Sequence, residues 1–95
     1  MRIWTKLIKN DKIIKDNVFL LPKNYNVNKL QLYLSEICNE LDVEMPVLLK
    51  KHYEHLFYFK STTFRVDDFI DTPKFDKMVC ELVLSDEEKK SKNLI

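Results

Sequence analysis

The chain contains no glycine and no alanine among its 95 residues. Loops that cradle phosphate bring backbone amides close to the ligand and depend on residues without a Cβ, so a P-loop or a dinucleotide-binding fingerprint is excluded. Turn positions with positive φ must be filled by Asn and Asp, which tolerate that region best after glycine. Arginine is also scarce: fourteen of the sixteen basic residues are lysine, and seven Asn and seven Ile accompany them. That bias is the imprint of an AT-rich coding genome and carries no functional information. With only two cysteines, more than forty residues apart, there is no disulfide framework. Both lie in apolar patterns, Ile37-Cys38 and Val79-Cys80, and read as buried free thiols. The sequence shows no signal-peptide pattern and no long apolar run, so the expected compartment is the cytosol, with no membrane partner.

What is present is a chain of single-domain length, able to build one core but too small for a large internal cavity. A formal net charge of +1 conceals an uneven layout. Residues 1–29 carry seven basic and two acidic side chains, whereas Glu36, Glu40, Asp42 and Glu44 make the next stretch purely acidic. A two-ended charge distribution of this kind argues against a general nucleic-acid binder.

The one sustained apolar pattern with a helical period lies in residues 26–59. Leu30, Leu34, Ile37, Cys38 and Leu41 form a single stripe, which predicts an amphipathic helix over residues 28–42. Pro46, Leu48, Leu49, His52 and Leu56 predict a second, shorter helix over 46–57, with Pro46 in its first turn. On either side the chain turns β-branched and aromatic. Residues 2–9 and 12–20 flank Asn10-Asp11, a dipeptide suited to a two-residue hairpin turn. Residues 64–70 and 74–84 read as two further strands, the second apolar on both faces. The expected fold is therefore α+β in the order ββα(α)ββ, an antiparallel sheet built from both ends of the chain with the helices on one face. The domain should span residues 1–85, opening a capping pattern at Ser85-Asp86-Glu87-Glu88 and leaving 86–95 as a charged tail.

The residue types that carry chemistry are present but dispersed. His52, His55, Cys38 and Cys80 are zinc-ligand types, yet structural zinc sites pair their ligands at short spacings that this chain does not have. Asp67, Asp68, Asp71 and Asp76 gather four carboxylates in ten residues, in a stretch where turns and strand ends also select Asp. No nucleophile–base arrangement can be argued from spacing. The chain is read as non-enzymatic, with no metal, cofactor or catalytic residue.

Two resemblances add to this. Residues 34–48, with Cys38 at the small-residue position, Leu41 and Val43 flanking the turn and Leu48 as a buried residue, resemble the helix-turn-helix of bacterial repressors. That resemblance implies DNA binding, with Lys50 and Lys51 on phosphates. The run Glu40-Leu41-Asp42, Pro46-Val47-Leu48-Leu49, Lys51-His52, Asp68-Phe69-Ile70 and Phe75-Asp76 resembles small uncharacterised proteins of low-GC Gram-positive bacteria and their mobile elements. It brings no activity and implies a free-standing bacterial or phage domain.

The hairpin gives the main functional expectation. With a regular ladder from the Asn10-Asp11 turn, Ile3, Leu7, Ile14 and Val18 share one face, and Trp4, Ile8, Ile13 and Phe19 share the other. Helices can cover only one of them, so an apolar patch built on Trp4, Ile8, Ile13 and Phe19 is expected as a surface for another protein or a second copy. The same register sets Lys6 opposite Lys15, where like charges either extend into water or admit an acidic partner beside Trp4. The expected function is a small interaction module that binds another macromolecule stoichiometrically, as an adaptor or inhibitor; the second reading is the helix-turn-helix DNA-binding regulator.

Overall fold

Asn10 and Asp11 do take positive φ, at 52° and 63°, the pair of values that a two-residue turn needs if the flanking strands are to keep their right-handed twist. They join β1 (Arg2–Lys9) to β2 (Lys12–Leu20). The structure, a computed structural model, describes residues 1–84 apart from the side chain of Val27. The capping pattern at 85–88 and the tail expected after it lie outside the described residues.

After a short 3-10 turn, α1 runs over Leu30–Leu41 and buries the expected stripe, Leu30, Leu34, Ile37, Cys38 and Leu41. Asp42 ends it in the left-handed conformation at φ 56°, and its N–H together with that of Val43 satisfies carbonyls of the last turn. The second helix, α2, covers Lys50–Phe59 rather than 46–57. Pro46 is buried in a segment without regular secondary structure and does not open a helix. The Val47 N–H donates to the Asp68 carbonyl at 2.7 Å, which ties this segment to the turn that follows β3. Leu49 is extended, at φ −103° and ψ 162°, and its N–H donates to His52 Nδ1 at 3.0 Å, so His52 supplies the reach-back half of a capping box.

Lys60 closes α2 in the left-handed region at φ 61° and redirects the chain at once into β3 (Ser61–Arg65). The expected strand over 64–70 thus begins earlier and ends earlier. Its end is chemical: Asp68 Oδ2 accepts the Arg65 N–H at 2.9 Å and folds Val66–Asp68 into a 3-10 turn. The last strand, β4, covers Lys77–Val83.

The strands form one antiparallel sheet in the order β2-β1-β4-β3. The fold is α+β, with the two ends of the described chain paired at the centre of the sheet. Ile3, Thr5 and Leu7 of β1, Met78 and Cys80 of β4, and Thr62 and Phe64 of β3 turn inward under the helices, joined by Leu56, Phe69 and Phe75. Burying each large aliphatic or aromatic side chain of that set contributes roughly 1.5–3 kcal/mol before conformational entropy is counted. Phe69 and Phe75 meet edge to face with ring centroids 5.3 Å apart, closing the end of the core beyond β3.

Candidate functional site

The inner face of the sheet is covered, and the outer face is not covered by any element of the described residues. Cross-strand register defines what it presents. One row runs Val18, Trp4, Glu81; the next Asp16, Lys6, Val79; the next Ile13, Ile8, Lys77. Trp4 is held in place from both sides. Its indole N–H donates to Asp16 Oδ2 at 2.9 Å, and the Lys6 ammonium lies 4.1 Å from the ring centroid while 3.8 Å from Glu81 Oε1. The tryptophan face is thus preset by a charged clasp, at low further cost in side-chain entropy when something docks on it.

Four of the six partner-binding residues named from the sequence, Trp4, Lys6, Ile8 and Ile13, share this outer face. Phe19 and Lys15 do not. The ladder starts regularly from the turn, Lys9 opposite Lys12 and Ile8 opposite Ile13, but slips between Leu7 and Ile8, so that Leu7 pairs with Lys15 and Ile14 is the extra residue of a β-bulge. From there to the end of β2 every side chain changes face. Phe19 lies opposite Ile3, packs against the core and touches Tyr33 of α1 with ring centroids 5.8 Å apart. Val18 takes its place outside. Lys15 leaves Lys6, which now faces Asp16, and donates to the Leu41 carbonyl at 2.8 Å. That contact sets a cation at the C-terminus of α1, where the helix dipole favours one.

Four exposed aliphatic side chains lie together on β2, an edge strand. Ile13, Ile14, Val18 and Leu20 are 51%, 52%, 54% and 73% exposed. Edge strands usually carry charge or bends that blunt them; here the bulge bends the strand and Lys12, Lys15 and Asp16 interrupt it, but four aliphatic groups remain in water. Val18 and Leu20 were missed by the sequence reading because the bulge itself has no sequence signal.

The alternative site has a different geometry from the one the resemblance implies. Between α1 and α2 lie eight residues, 42–49, in place of the three- or four-residue turn of a helix-turn-helix, and residues 43–49 carry no helix. Lys50 is largely in water and sits 3.7 Å from Glu54, one helical turn on. Lys51 lies on another flank of α2, at a groove described below.

Of the ligand-type residues, Cys38 and Cys80 are buried free thiols. Burial pushes the Cys38 thiol up to about 11 and that of Cys80 up to about 12. Thr5 Oγ1 lies 3.5 Å from the Cys80 sulfur. Among the described residues no three His, Cys, Asp or Glu side chains converge as a metal cluster. The carboxylates serve the backbone: Asp68 accepts from Arg65, and Asp76 Oδ2 accepts the Asn10 N–H at 2.9 Å, tying the hairpin turn to the segment before β4. His52 is fully buried, and burial lowers its pKa below the ordinary value of 6.5, with Asp68 opposing and Lys51 adding to the shift. No helix of the described residues is long and apolar enough to cross a membrane. No family model, curated protein or solved structure matches the chain.

Proposed function

We propose that this protein is a small, non-enzymatic interaction module that binds another protein stoichiometrically through the outer face of its sheet and the adjoining β2 edge. An adaptor or an inhibitor fits that reading, of the kind that phages and mobile elements of low-GC Gram-positive bacteria encode. The supporting observation is the row of exposed aliphatic side chains on β2 beside a tryptophan that is already oriented by Asp16 and Lys6. Aromatic anchors of this kind dominate binding energy, and uncovered apolar patches on small domains mark contact surfaces. Two buried free thiols suit the reducing cytoplasm as the place where it acts.

Ile13→Lys tests it. The residue is half in water, so the change should alter stability by no more than about 0.5 kcal/mol in urea titration. Capture of the partner that the wild type retains, or self-association in sedimentation if the partner is a second copy, should fall at least about tenfold. Equal capture by the variant and the wild type would remove the outer face from the interaction.

A further inference from the structure

The opposite edge of the sheet carries a second feature, between β3 and one flank of α2. Strand β3 is the terminal strand, and its hydrogen-bonding pattern is fixed by one contact. The Leu82 N–H donates to the Lys60 carbonyl at 2.8 Å, so with the two-residue alternation of an antiparallel ladder the bonded pairs that follow are Thr62 with Cys80 and Phe64 with Met78. The N–H and C=O groups of Ser61 and Thr63 then point away from β4, where no strand lies among the described residues. The Arg65 N–H points the same way, since it is taken by Asp68 Oδ2.

Beside this open edge runs one flank of α2. Lys51, His55 and Phe59 are spaced by four residues and so form one stripe along the helix. Between that stripe and Ser61, Thr63 and Arg65 lies a groove of about 340 Å³, within the size range of ligand sites. Two buried side-chain polar atoms on its lining residues lack hydrogen-bond partners, Thr62 Oγ1 and His52 Nε2. His52 Nε2 faces Asp68 Oδ2 at 3.5 Å, too long for a well-formed bond.

We infer that this groove binds an extended acidic peptide, which adds to β3 as a fifth, antiparallel strand with its backbone on Ser61 and Thr63 and alternate side chains against Lys51, His55 and Phe59. Two dimensions match. Four residues of helix advance about 6 Å, and two residues of strand advance about 6.8 Å. Every second side chain of an added strand therefore meets successive members of the stripe. Charge sets the pattern. Lys51 stands at one end beside Asp68, whose carboxylate is already engaged by the Arg65 N–H, with the Arg65 side chain on the outer face of the sheet, and exposed Phe59 stands at the other end. An antiparallel strand enters at the Arg65 end, so the motif reads, from its N-terminus, acidic, any, polar, any, apolar. Strand addition of this kind takes affinity from the main chain and specificity from alternate side chains.

The experiment uses the full chain and a fluorescein-labelled nonapeptide centred on Glu-Val-Thr-Val-Leu, read by anisotropy at fixed ionic strength. Saturable binding is expected, weakened at least about tenfold by Lys51→Glu and by N-methylation of the peptide amides that face β3, and unchanged by Ile13→Lys. In amide NMR the Ser61 and Thr63 N–H signals should shift on binding. Lys51 lies on the surface, so its variant keeps the test independent of folding. No saturable signal, equal binding of the N-methylated peptide, or equal displacement by inorganic phosphate or a single-stranded oligonucleotide would overturn the inference. Loss of peptide binding in Ile13→Lys would overturn its independence from the outer-face reading.

Discussion

His52 shows how one side chain can join two elements. Its Nδ1 accepts the Leu49 N–H, so the ring proton resides on Nε2, facing Asp68 across 3.5 Å. Its ring also lies over Phe64, with centroids 4.3 Å apart. Protonation would place a second donor against the Leu49 N–H and a charge inside the core. Burial has already lowered the folded-state pKa below the ordinary value near 6.5, more than the Asp68 charge restores it. In the window between the two values the unfolded chain binds a proton that the folded chain refuses, so the stability His52 contributes is complete above pH 6.5 and is lost as pH falls through the folded value. His52→Gln keeps a side-chain acceptor at the same helical position and removes the titration. It should cost about 1–2 kcal/mol at neutral pH through imperfect packing. Between pH 7.5 and 5, urea midpoints of the wild type should fall more steeply than those of the variant; parallel curves would assign the acid sensitivity elsewhere. Only the Leu49 contact is local; Asp68 and Phe64 lie sixteen and twelve residues away, on a turn and a strand whose positions only the fold supplies.

At the scale of elements, the bulge at Ile14 decides more than any other local feature. The hairpin turn was legible, since a chain without glycine had to give its positive-φ positions to residues such as Asn10 and Asp11. Helix α1 was legible for the same kind of reason: its apolar stripe has no second interpretation. The face assignment of β2 was not, because a strand repeats every two residues and one inserted residue inverts it. Ile13-Ile14 offers two adjacent aliphatic groups of equal merit, and which one leaves the ladder is settled by the packing of Phe19 against Tyr33 and by Lys15 reaching the end of α1. The second helix starts four residues later than expected and ends two later, with Val47 tied to the Asp68 carbonyl and the Leu49 N–H capped by His52. A pair of substitutions checks the register. Val18→Lys should change unfolding free energy by no more than about 0.5 kcal/mol, whereas Phe19→Ala should cost about 2–3 kcal/mol. The opposite order in chemical denaturation would restore the regular ladder.

For the molecule as a whole, the core is one contiguous cluster bridging the helices and the sheet. Cys38 reaches it from α1 and Cys80 from β4, and the raised pKa of each follows from being sealed in that single interior. Thiolate, the reactive form, is therefore doubly scarce in the folded protein. A disulfide reagent at pH 8 should titrate almost no thiol under native conditions and both thiols in denaturant, with the two labelling in step as urea rises. Separate labelling of Cys38 at lower urea would show that α1 lifts from the sheet before the sheet comes apart.

The central pairing of β1 with β4 has a consequence for biosynthesis. Arg2 sits beside Val83 and Leu7 beside Met78, so the centre of the sheet joins residues that are far apart in the chain, and β1 is made well before β4. A ribosome releases the β1–β2 hairpin long before Met78 and Cys80 exist, and a two-stranded ribbon is marginal in water. During that interval Ile3, Leu7 and Phe19 have no finished core to enter, and one side of β1 has no strand to bond. The domain must then close in one late step, when β4 slides between β1 and β3 and completes the hydrogen-bonding of both at once.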